Sequence, residues 1–348
     1  MKNSRILDSY NILVGENILS KLPQLISLDK YSNIFLILDH GVEKNWSKKI
    51  HSAFPNCNNI ILKSGEKAKT IDTVQKVWQK LLLGKHDRKT LVVNIGGGVI
   101  GDMGGFAAST FMRGLDFIQI PTTITAQVDS SVGGKTGINF AGIKNLIGTF
   151  NQPVAVLCDI DFLSSLPSRE FISGFAEIIK HGLIADKKYF NFVTSKKPRD
   201  FSNKELTDII ETSISIKANI VNNDEKEKAL RKLLHFGHTL GHAIESLSQE
   251  TKNPLLHGEA IAIGMMMEGQ LSKLLGLLSD KDYQVLKNAF SNAGLPTTSP
   301  ALSTKKILKK IQSDKKNEKG IINWTLLQTI GKAIINQPVD EKIARQVL

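Results

Sequence analysis

The sequence predicts an α/β N-terminal half followed by a mostly α-helical C-terminal half. Strand-like and helix-like stretches alternate up to about residue 160, and from about residue 168 the apolar residues recur with helical spacing. Alternation of strands and helices is typical of a parallel sheet that is covered on both faces. We therefore predict an α/β domain over residues 1–160 and a mostly helical domain over residues 161–348.

The predicted elements of the first half follow one another closely. NIFLILD (33–39) predicts a buried strand, and TIDTVQKVWQKLLLG (70–84) predicts a helix with a Thr start and a Gly stop. TLVVNIGGG (90–98) predicts a strand that runs into glycines, VIGDMGGFAASTFMRG (99–114) a glycine-rich helix, and DFIQIPTT (116–123) the next strand. A strand, a glycine-rich turn, a helix and a strand in this order form a βαβ unit.

The second half is predicted from its periodicity. After the apolar stretch PVAVLCDI (153–160), four long stretches have helical spacing: REFISGFAEIIKHGLIAD, KELTDIIETSISIKANIV, LRKLLHFGHTLGHAIESL and GEAIAIGMMMEGQLSKLLG. Two later stretches, GIINWTLLQTIG and KAIINQPV, predict a pair of short strands.

Composition and charge narrow the class of protein. The chain has 348 residues, which is enough for two domains with their own cores, and Lys plus Arg exceed Asp plus Glu by 12. Such a balance suits a polyanionic partner or a well-solvated surface. The only cysteines, Cys57 and Cys158, make no disulfide framework, and no stretch is typical of a signal peptide or a membrane span. We expect a cytoplasmic protein without a membrane partner.

The turn GGGVIG fits the pattern G-x-G-x-x-G with Gly96, Gly98 and Gly101. Glycines between a strand and a helix let a backbone approach a pyrophosphate, and the helix N-terminus favours its negative charge. The turn thus predicts a Rossmann-like nucleotide site, with a tight packing turn as the alternative. The next strand ends without an acid for a ribose hydroxyl, and Asp39 at the end of an earlier strand is the candidate for that contact.

A cluster of histidines predicts a metal site. His238 and His242 lie four residues apart and share one helix face, and His257 follows a loop that can fold back toward them. Glu177 is a carboxylate in an otherwise apolar helix, where burial is costly unless the group is paired or bound to a cation. Histidine with a carboxylate is a common catalytic zinc set, while core histidines bonded to backbone carbonyls are the alternative. The spacing leaves open which of His181, His235, His238 and His242 are ligands.

The stretch QVDSSVGGKTGINFAGIKNLIGTF (127–150) predicts a long functional loop. It combines Asp129, Lys135, Lys144 and Asn145 with five glycines. Glycines let the backbone approach a ligand closely, and lysine ammonium groups nearby suit a phosphate or carboxylate ligand.

Together the motifs resemble those of the 3-dehydroquinate synthase family of sugar phosphate cyclases. The resemblance spans residues 65 to 317 in family order. It rests on GEKAKT, GGGVIGDMGGFAASTFMRG, IPTTITAQVDSSVGGKTGIN, GIKNLIGTF, LPSREFISGFAEIIKHG, GHTLGHAIE, LLHGEAIAIGM and DKKN. Such a resemblance implies a nucleotide-binding domain, a helical domain, an active site in the cleft between them and a homodimer.

The resemblance also implies a reaction and its cofactors. Family members convert 3-deoxy-D-arabino-heptulosonate 7-phosphate to 3-dehydroquinate and phosphate, the second step of the shikimate pathway. The reaction is a phosphate-eliminating lyase cyclisation that uses NAD transiently and one divalent metal, Zn2+ or Co2+. The metal would bind Glu177, His238 and His257, and His242 would act as an acid/base group beside the substrate.

Further positions carry over from the family by their motifs. The substrate positions are Arg113, Asp129, Lys135, Asn145, Lys180, Lys217, Arg231 and Lys316, of which Arg113 would reach across the dimer interface. The NAD positions are Asp39, Glu66, Lys69, Gly97, Gly98, Asp102, Thr122, Thr123, Lys135 and Lys144. One position departs from the pattern, because His235 stands where the family usually has Asn.

Two other functions compete with this prediction. A metal-dependent alcohol dehydrogenase would share the glycine turn and the histidines, but it does not need several phosphate-binding lysines. A nucleic-acid binder is suggested by the run STKKILKKIQSDKKNEKG, which is more simply an amphipathic helix with a solvated lysine face. We therefore predict a small-molecule sugar acid phosphate as the partner and no nucleic acid.

Overall fold

The computed structural model describes residues 2–6, 9–225, 229–312 and 322–348. Contacts divide the chain into two compact units. The first unit is Met1–Leu166 together with Asn203–Ala218, and the second is Pro167–Ser202 together with Asn219–Leu348. A segment of the C-terminal half, Asn203–Ala218, thus belongs to the first unit. A single boundary in the chain therefore does not separate the two units. The predicted domain boundary at residue 160 stays a prediction.

The first unit is built on a twisted, mostly parallel sheet. Its strands are β1 (Lys2–Ile6), β2 (Tyr10–Gly15), β3 (Asn33–Asp39), β4 (Asn58–Leu62), β5 (Thr90–Gly96), β6 (Phe117–Pro121) and β9 (Ala155–Asp159). Within the described residues the order is β1-β2-β9-β6-β5-β3-β4, with β1 antiparallel to β2 and all other neighbours parallel. All residues of the central strand β5 are buried, as expected for a parallel sheet covered on both faces. The predicted α/β class is confirmed.

The helices of this unit cover the sheet. They are α1 (Leu22–Leu25), α2 (His40–Ala53), α3 (Ile71–Leu83), α4 (Gly98–Thr110) and the first part of α7 (Asn203–Asn223). The Thr70 hydroxyl caps α3 by accepting from the backbone N–H of Thr73, which confirms the predicted start of this helix. The strands β1, β2 and β4 were not predicted.

The predicted loop over residues 127–150 is wrong in one respect, because most of it is a β-hairpin. After a π-helical turn at Ala126–Ser130, strands β7 (Lys135–Phe140) and β8 (Ile143–Phe150) pair antiparallel. Several apolar side chains of the hairpin are exposed, including Phe140 and Phe150 at 50% and 59%. Glycines and polar residues in this stretch hid the strand periodicity.

The second unit is mainly helical. Its helices are α5 (Ser168–Ala185), α6 (Lys187–Val193), the rest of α7, α8 (His238–Ser248), α9 (His257–Leu274), α10 (Asp280–Ala293), α11 (Thr304–Gln312) and α12 (Glu341–Ala344). The late strands β10 (Trp324–Thr329) and β11 (Lys332–Gln337) pair antiparallel, as predicted. Across the described ranges, no helix is both long enough and apolar enough to cross a membrane.

Candidate active site and metal centre

The glycine turn lies where the strand order of the first unit reverses. The chain passes from β3 outward to β4, then returns to β5 on the other side of β3 and continues through β6. Ligands of open α/β sheets bind at such a switch point, beyond the carboxyl ends of the strands. Here β3 ends at Asp39 and β5 at Gly96, and a Cβ on Gly96 would lie 3.1 Å from the Asp39 Cβ.

The glycine turn leads directly into the N-terminus of α4, which favours an anion. Gly97 is the N-cap of α4, so the first N–H groups of this helix face away from its hydrogen-bonded interior. A Cβ on Gly98 would lie 2.8 Å from Ser130 Oγ, which shows how tightly the neighbouring chain approaches. Gly96 also accepts a hydrogen bond from Thr122 N at 3.0 Å, which fixes the following strand end beside the turn.

The Asp39 carboxylate accepts hydrogen bonds from two donors within the protein. Its Oδ1 accepts from Gly41 N at 2.7 Å and from Ser64 Oγ at 2.9 Å. The carboxylate therefore caps α2 and holds the turn after β4. Its second oxygen, Oδ2, is the atom left for a ribose hydroxyl if the predicted NAD contact is correct.

A second polar cluster joins the other predicted NAD positions. The buried Lys69 ammonium donates to Asp102 Oδ2 and to Asn145 Oδ1. Asn139 Nδ2 donates to Glu66 Oε1 at 2.7 Å, and Asn145 N donates to Asn139 Oδ1 at 2.9 Å. Burial raises the pKa of the Asp102 carboxyl, while the charge of Lys69 opposes that rise. The structure thus brings together residues from the turn before α3, from α4 and from the hairpin.

Two predicted substrate residues of the first unit form an ion pair. Lys217 on α7 is buried and donates to Asp129 Oδ1 at 2.5 Å and to the Asp129 carbonyl. The pair anchors the first part of α7 to the π-helical turn. Lys135 on the hairpin is exposed, with its ammonium 6.0 Å from the centre of the Phe150 ring, and Arg113 is also exposed.

The second unit brings one carboxylate and two imidazoles together. Glu177 Oε1 lies 3.7 Å from His238 Nε2 and 3.6 Å from His257 Nε2, and ligand atoms of the three residues all lie within 4.8 Å of one another. Glu177 is fully buried, and its Oε2 pairs with the Lys180 ammonium one turn along α5. Two nitrogens and one carboxylate oxygen fit a divalent cation such as Zn2+, with a position left for substrate.

Close helix packing brings His257 to Glu177. His257 is the first residue of α9, and Gly258 N donates to Ser173 Oγ on α5 at 3.1 Å. A Cβ on Gly258 would lie 1.8 Å from the Ser173 carbonyl oxygen, so only glycine permits this approach. Ser173 lies one turn before Glu177 on α5, which explains why the two side chains meet.

A buried glutamate holds the start of α8, which presents His238. Gly237 has a positive φ of 81°, and its N–H donates to Glu268 Oε2 at 2.6 Å. Leu240 N donates to Glu268 Oε1 at 3.2 Å. Glu268 on α9 therefore replaces the missing side-chain N-cap of α8 and fixes the helix that begins with His238.

Each imidazole of this group has a second polar neighbour. His238 Nδ1 lies 3.2 Å from the Phe236 carbonyl, and His257 Nδ1 lies 3.3 Å from Glu245 Oε2. Burial lowers the pKa of His257, but Glu245 and Glu177 outweigh this effect through charge and hydrogen bonds and raise it to about 10.

The other predicted histidines lie around this group. His242 is half-buried, with its ring centre 5.0 Å from that of His238 and 5.8 Å from that of His257. His235 precedes α8, with its ring centre 6.4 Å from that of His238. His181, the alternative ligand, is fully buried on α5 and is not a member of the group formed by Glu177, His238 and His257.

Predicted substrate residues of the second unit include two buried cations. Lys180 and Arg231 are 1% and 3% exposed, and Arg231 Nη1 donates to the Glu225 carbonyl at 2.7 Å. Buried cations require partners, and within the protein Lys180 has the Glu177 carboxylate and Arg231 has the Glu225 carbonyl. Lys316 lies outside the described residues.

Sequence reasoning missed three residues that shape the metal group: Glu245, Gly258 and Glu268. Glu245 lies seven residues after His238 on the same apolar helix, so its position on the histidine face was a detectable signal. Glu268 interrupts the apolar run GMMMEG, where a buried carboxylate needs a specific partner. Nothing local in the sequence marks Gly258 as a helix contact.

Comparisons with known proteins identify the family. The pattern described as 3-dehydroquinate synthase N-terminal matches residues 59–173, and the pattern described as 3-dehydroquinate synthase C-terminal matches residues 174–317. A 3-dehydroquinate synthase from Thermodesulfovibrio yellowstonii is 41% identical over 348 residues, which cover 98% of this chain and 96% of that protein.

Two solved structures have the same fold over nearly the whole chain. One is 2-deoxy-scyllo-inosose synthase in complex with carbaglucose-6-phosphate, NAD+ and Co2+, with a TM-score of 0.89, 28% identity and 99% of each chain covered. The other is the 2-epi-5-epi-valiolone synthase ValA from Streptomyces hygroscopicus with NAD+ and Zn2+, with a TM-score of 0.87, 24% identity and 100% of this chain and 96% of that chain covered. Identity at this second level supports the fold alone. On the strength of the two family patterns and the full-length relative, the chain belongs to the 3-dehydroquinate synthase family.

Proposed function

We propose that the chain catalyses the 3-dehydroquinate synthase reaction, in which a heptulosonate phosphate cyclises to 3-dehydroquinate and releases inorganic phosphate. The observation that carries the proposal is the group of Glu177, His238 and His257 in a chain of this family. The activity is that of a carbon–oxygen lyase. It belongs to the second step of the shikimate pathway, which we expect to run in the cytoplasm.

Glu177, His238 and His257 would hold the divalent cation. When bound, such a cation lowers the pKa of a substrate hydroxyl and so eases its oxidation. The donor set of two imidazole nitrogens and one carboxylate oxygen supports Zn2+ or Co2+. Lys180 pairs with the other oxygen of Glu177 and so holds the carboxylate in place.

The turn at Gly97 and Gly98 would hold the pyrophosphate of NAD at the N-terminus of α4. When bound, NAD supplies a reversible hydride acceptor, so no net NADH leaves the enzyme. Asp39 would accept from the ribose, and the cluster around Lys69 would position the rest of the cofactor. The remaining proposed NAD contacts are Glu66, Asp102, Thr122, Thr123, Lys135 and Lys144.

The substrate carries a carboxylate and a phosphate, about three negative charges in all. Three of the proposed substrate contacts are buried cations, because Lys180, Lys217 and Arg231 are each no more than 5% exposed. Their ammonium and guanidinium groups bind carboxylate and phosphate oxygens through charge-assisted hydrogen bonds. We propose the same role for Arg113, Asp129, Lys135, Asn145, His235 and Lys316.

His242 is the proposed acid/base group. Its imidazole is half-buried beside the rings of His238 and His257, so it can reach a substrate held by the same group. It would take the proton that the substrate hydroxyl loses and return it when the hydroxyl is restored. A histidine is suited to this exchange, because its unperturbed pKa lies close to neutral pH.

We also propose a homodimer. Apolar side chains are exposed on the β7–β8 hairpin and next to Arg113, with Ile143 50%, Phe150 59% and Met112 42% exposed. Exposed apolar side chains clustered in this way mark protein contacts. A second copy of the chain would cover them and would accept Arg113. If light scattering of the purified protein gave the molecular mass of one chain, the proposed homodimer would be refuted.

The test is an incubation of purified protein with the heptulosonate phosphate, NAD and Zn2+. The expected result is stoichiometric phosphate and cyclic product without net NADH. Accumulation of NADH would instead indicate an alcohol dehydrogenase. His51→Ala is a control for substitutions of the site histidines. The His51 side chain is 43% exposed, and its Nε2 lies 3.4 Å from Glu43 Oε1. This control is expected to retain full activity.

A further inference from the structure

Glu245 is a buried carboxylate that no step of the proposed reaction uses. It lies on α8, 6% exposed, one turn beyond His242, and its Oε2 lies 3.3 Å from Nδ1 of His257. Burial of a carboxylate is costly unless its charge meets a hydrogen-bond donor or a cation. The carboxylate of Glu245 therefore needs such a neighbour, and His257 is in position to be one.

The two edges of the His257 ring point at different carboxylates. Nε2 lies 3.6 Å from Glu177 Oε1, on the side of the proposed cation, while Nδ1 lies 3.3 Å from Glu245 Oε2. A neutral imidazole that gives its Nε2 lone pair to a metal carries its proton on Nδ1. That proton is then the donor to Glu245, and the carboxylate fixes both the tautomer and the plane of the ring.

His238 is arranged in the same sense but with a different acceptor. Its Nε2 lies 3.7 Å from the same Glu177 oxygen, and its Nδ1 lies 3.2 Å from the Phe236 carbonyl. Both imidazoles therefore present Nε2 to Glu177 and Nδ1 to an acceptor. One acceptor is a neutral backbone carbonyl and the other is a full negative charge.

We propose that Glu245 is a positioning residue that strengthens metal binding through His257 without binding the cation itself. The inference rests on the proposed function, because it takes Glu177, His238 and His257 as the ligands. A carboxylate that accepts from a ligating imidazole makes the imidazole more basic and holds it in place. Its charge also helps to balance a divalent cation, which His238 and its carbonyl partner do not do.

A different assignment is that Glu245 is a ligand of a second cation. His242, Glu245 and His257 also have ligand atoms within 4.8 Å of one another. That site would use the Nδ1 edge of His257, so two cations would share one imidazole. The number of cations per chain separates the two assignments, since the proposal requires one.

The test measures metal affinity of Glu245→Gln by competition with a chelator, with Zn2+ as the probe. Glutamine keeps the shape and an acceptor oxygen but removes the charge. We expect Zn2+ to bind one per chain and about 10- to 100-fold more weakly than in the wild type. Glu250→Gln is the matched control, because Glu250 is exposed and only forms a surface pair with Lys306 at 3.3 Å. This control should bind Zn2+ as the wild type does.

The outcomes separate this inference from the proposed function. If the wild type binds no Zn2+, the proposed metal centre fails. If the wild type binds tightly and Glu245→Gln binds equally tightly, or if two cations bind per chain, only the role of Glu245 is overturned. Should the variant not fold, histidine nitrogen NMR of the Zn2+-loaded wild type decides, since the proposal requires a protonated Nδ1 and a metal-bound Nε2 on His257.

Discussion

The glycine turn of the first unit and the metal group of the second unit are built in opposite ways. At the turn, Gly97 and Gly98 contribute backbone N–H groups, and the site exists because side chains are missing. At the metal group, Glu177 and His257 contribute specific donor atoms, and the site exists because buried side chains are held by others. Substitutions at the turn should therefore weaken binding by adding a side chain that occupies space. Substitutions at the metal group should weaken binding by removing a donor atom or its support.

The largest expected effect is at the metal group. His257→Ala removes one of three donors, so metal content and turnover should be abolished, a greater loss than the roughly 100-fold upper limit expected for an outer partner. The fold should persist, because the substituted side chain is one-third exposed. Metal analysis after gel filtration and far-UV circular dichroism check the two statements. Full metal occupancy in the variant would remove His257 from the ligand set.

The next effect tests whether glycine also supports the metal group. In Gly258→Ala the new Cβ would lie 1.8 Å from the Ser173 carbonyl oxygen, so α9 has to move away from α5. We expect a loss of about 1–3 kcal/mol in the free energy of unfolding and weaker metal binding.

The control for this substitution lies on the same helix. In Gly269→Ala the Cβ would meet side-chain atoms and no backbone, namely Leu286 Cδ2 at 2.7 Å and the Tyr283 ring at 3.7 Å. Its stability should change less, since alanine also favours a helix by about 1 kcal/mol over glycine. Equal metal affinity in Gly258→Ala and Gly269→Ala would contradict the role assigned to the α5–α9 contact.

A smaller effect on stability is expected at the glycine turn. In Gly98→Ala the Cβ would lie 2.8 Å from Ser130 Oγ, and the Ser130 side chain can rotate away. We expect weaker NAD binding in a titration, with metal affinity unchanged. The double variant Gly98→Ala, Ser130→Ala should regain stability but not NAD affinity. Recovery of NAD affinity in the double variant would show that the turn is only a packing feature.

The smallest effect is expected at His235. His235→Asn introduces the residue that the family resemblance implies at this position, and asparagine can still donate a hydrogen bond. We expect kcat/KM to remain similar or to rise, with metal affinity unchanged. A collapse of kcat/KM would show instead that the imidazole of His235 makes a contact of its own with the substrate.

Local sequence signals predicted the parts of the fold that depend on local physics. The buried strands β3 and β5 are mostly apolar, with the runs IFLIL and LVV, and Thr70 and Gly84 mark the ends of α3. The hairpin β7–β8 escaped prediction, because glycines and lysines in it broke the alternation of apolar residues. Local signals also placed α7 wholly in the second domain, whereas contacts such as the Lys217–Asp129 pair attach its first part to the first unit.

Sequence signals suggested candidate donors for the site, while most of the residues that support them were not predicted. The spacing of His238 and His242 and the isolated carboxylate of Glu177 pointed to a metal, while the choice among the histidines needed the resemblance to a family. Gly258 carries no local signal, and the isolated carboxylate of Glu268 shows only that a partner is needed, because both roles depend on which helices pack together. Long-range packing of this kind leaves no periodic signal in the chain.

The most direct measurement is X-ray absorption at the zinc edge of the Zn2+-loaded protein. The proposed ligand set of Glu177, His238 and His257 predicts two imidazole nitrogens and oxygen ligands at about 2.0–2.2 Å, without sulfur. Loss of the bound-zinc signal in His257→Ala would complete the prediction. A sulfur ligand, or a spectrum unchanged by His257→Ala, would contradict the metal centre proposed for this chain.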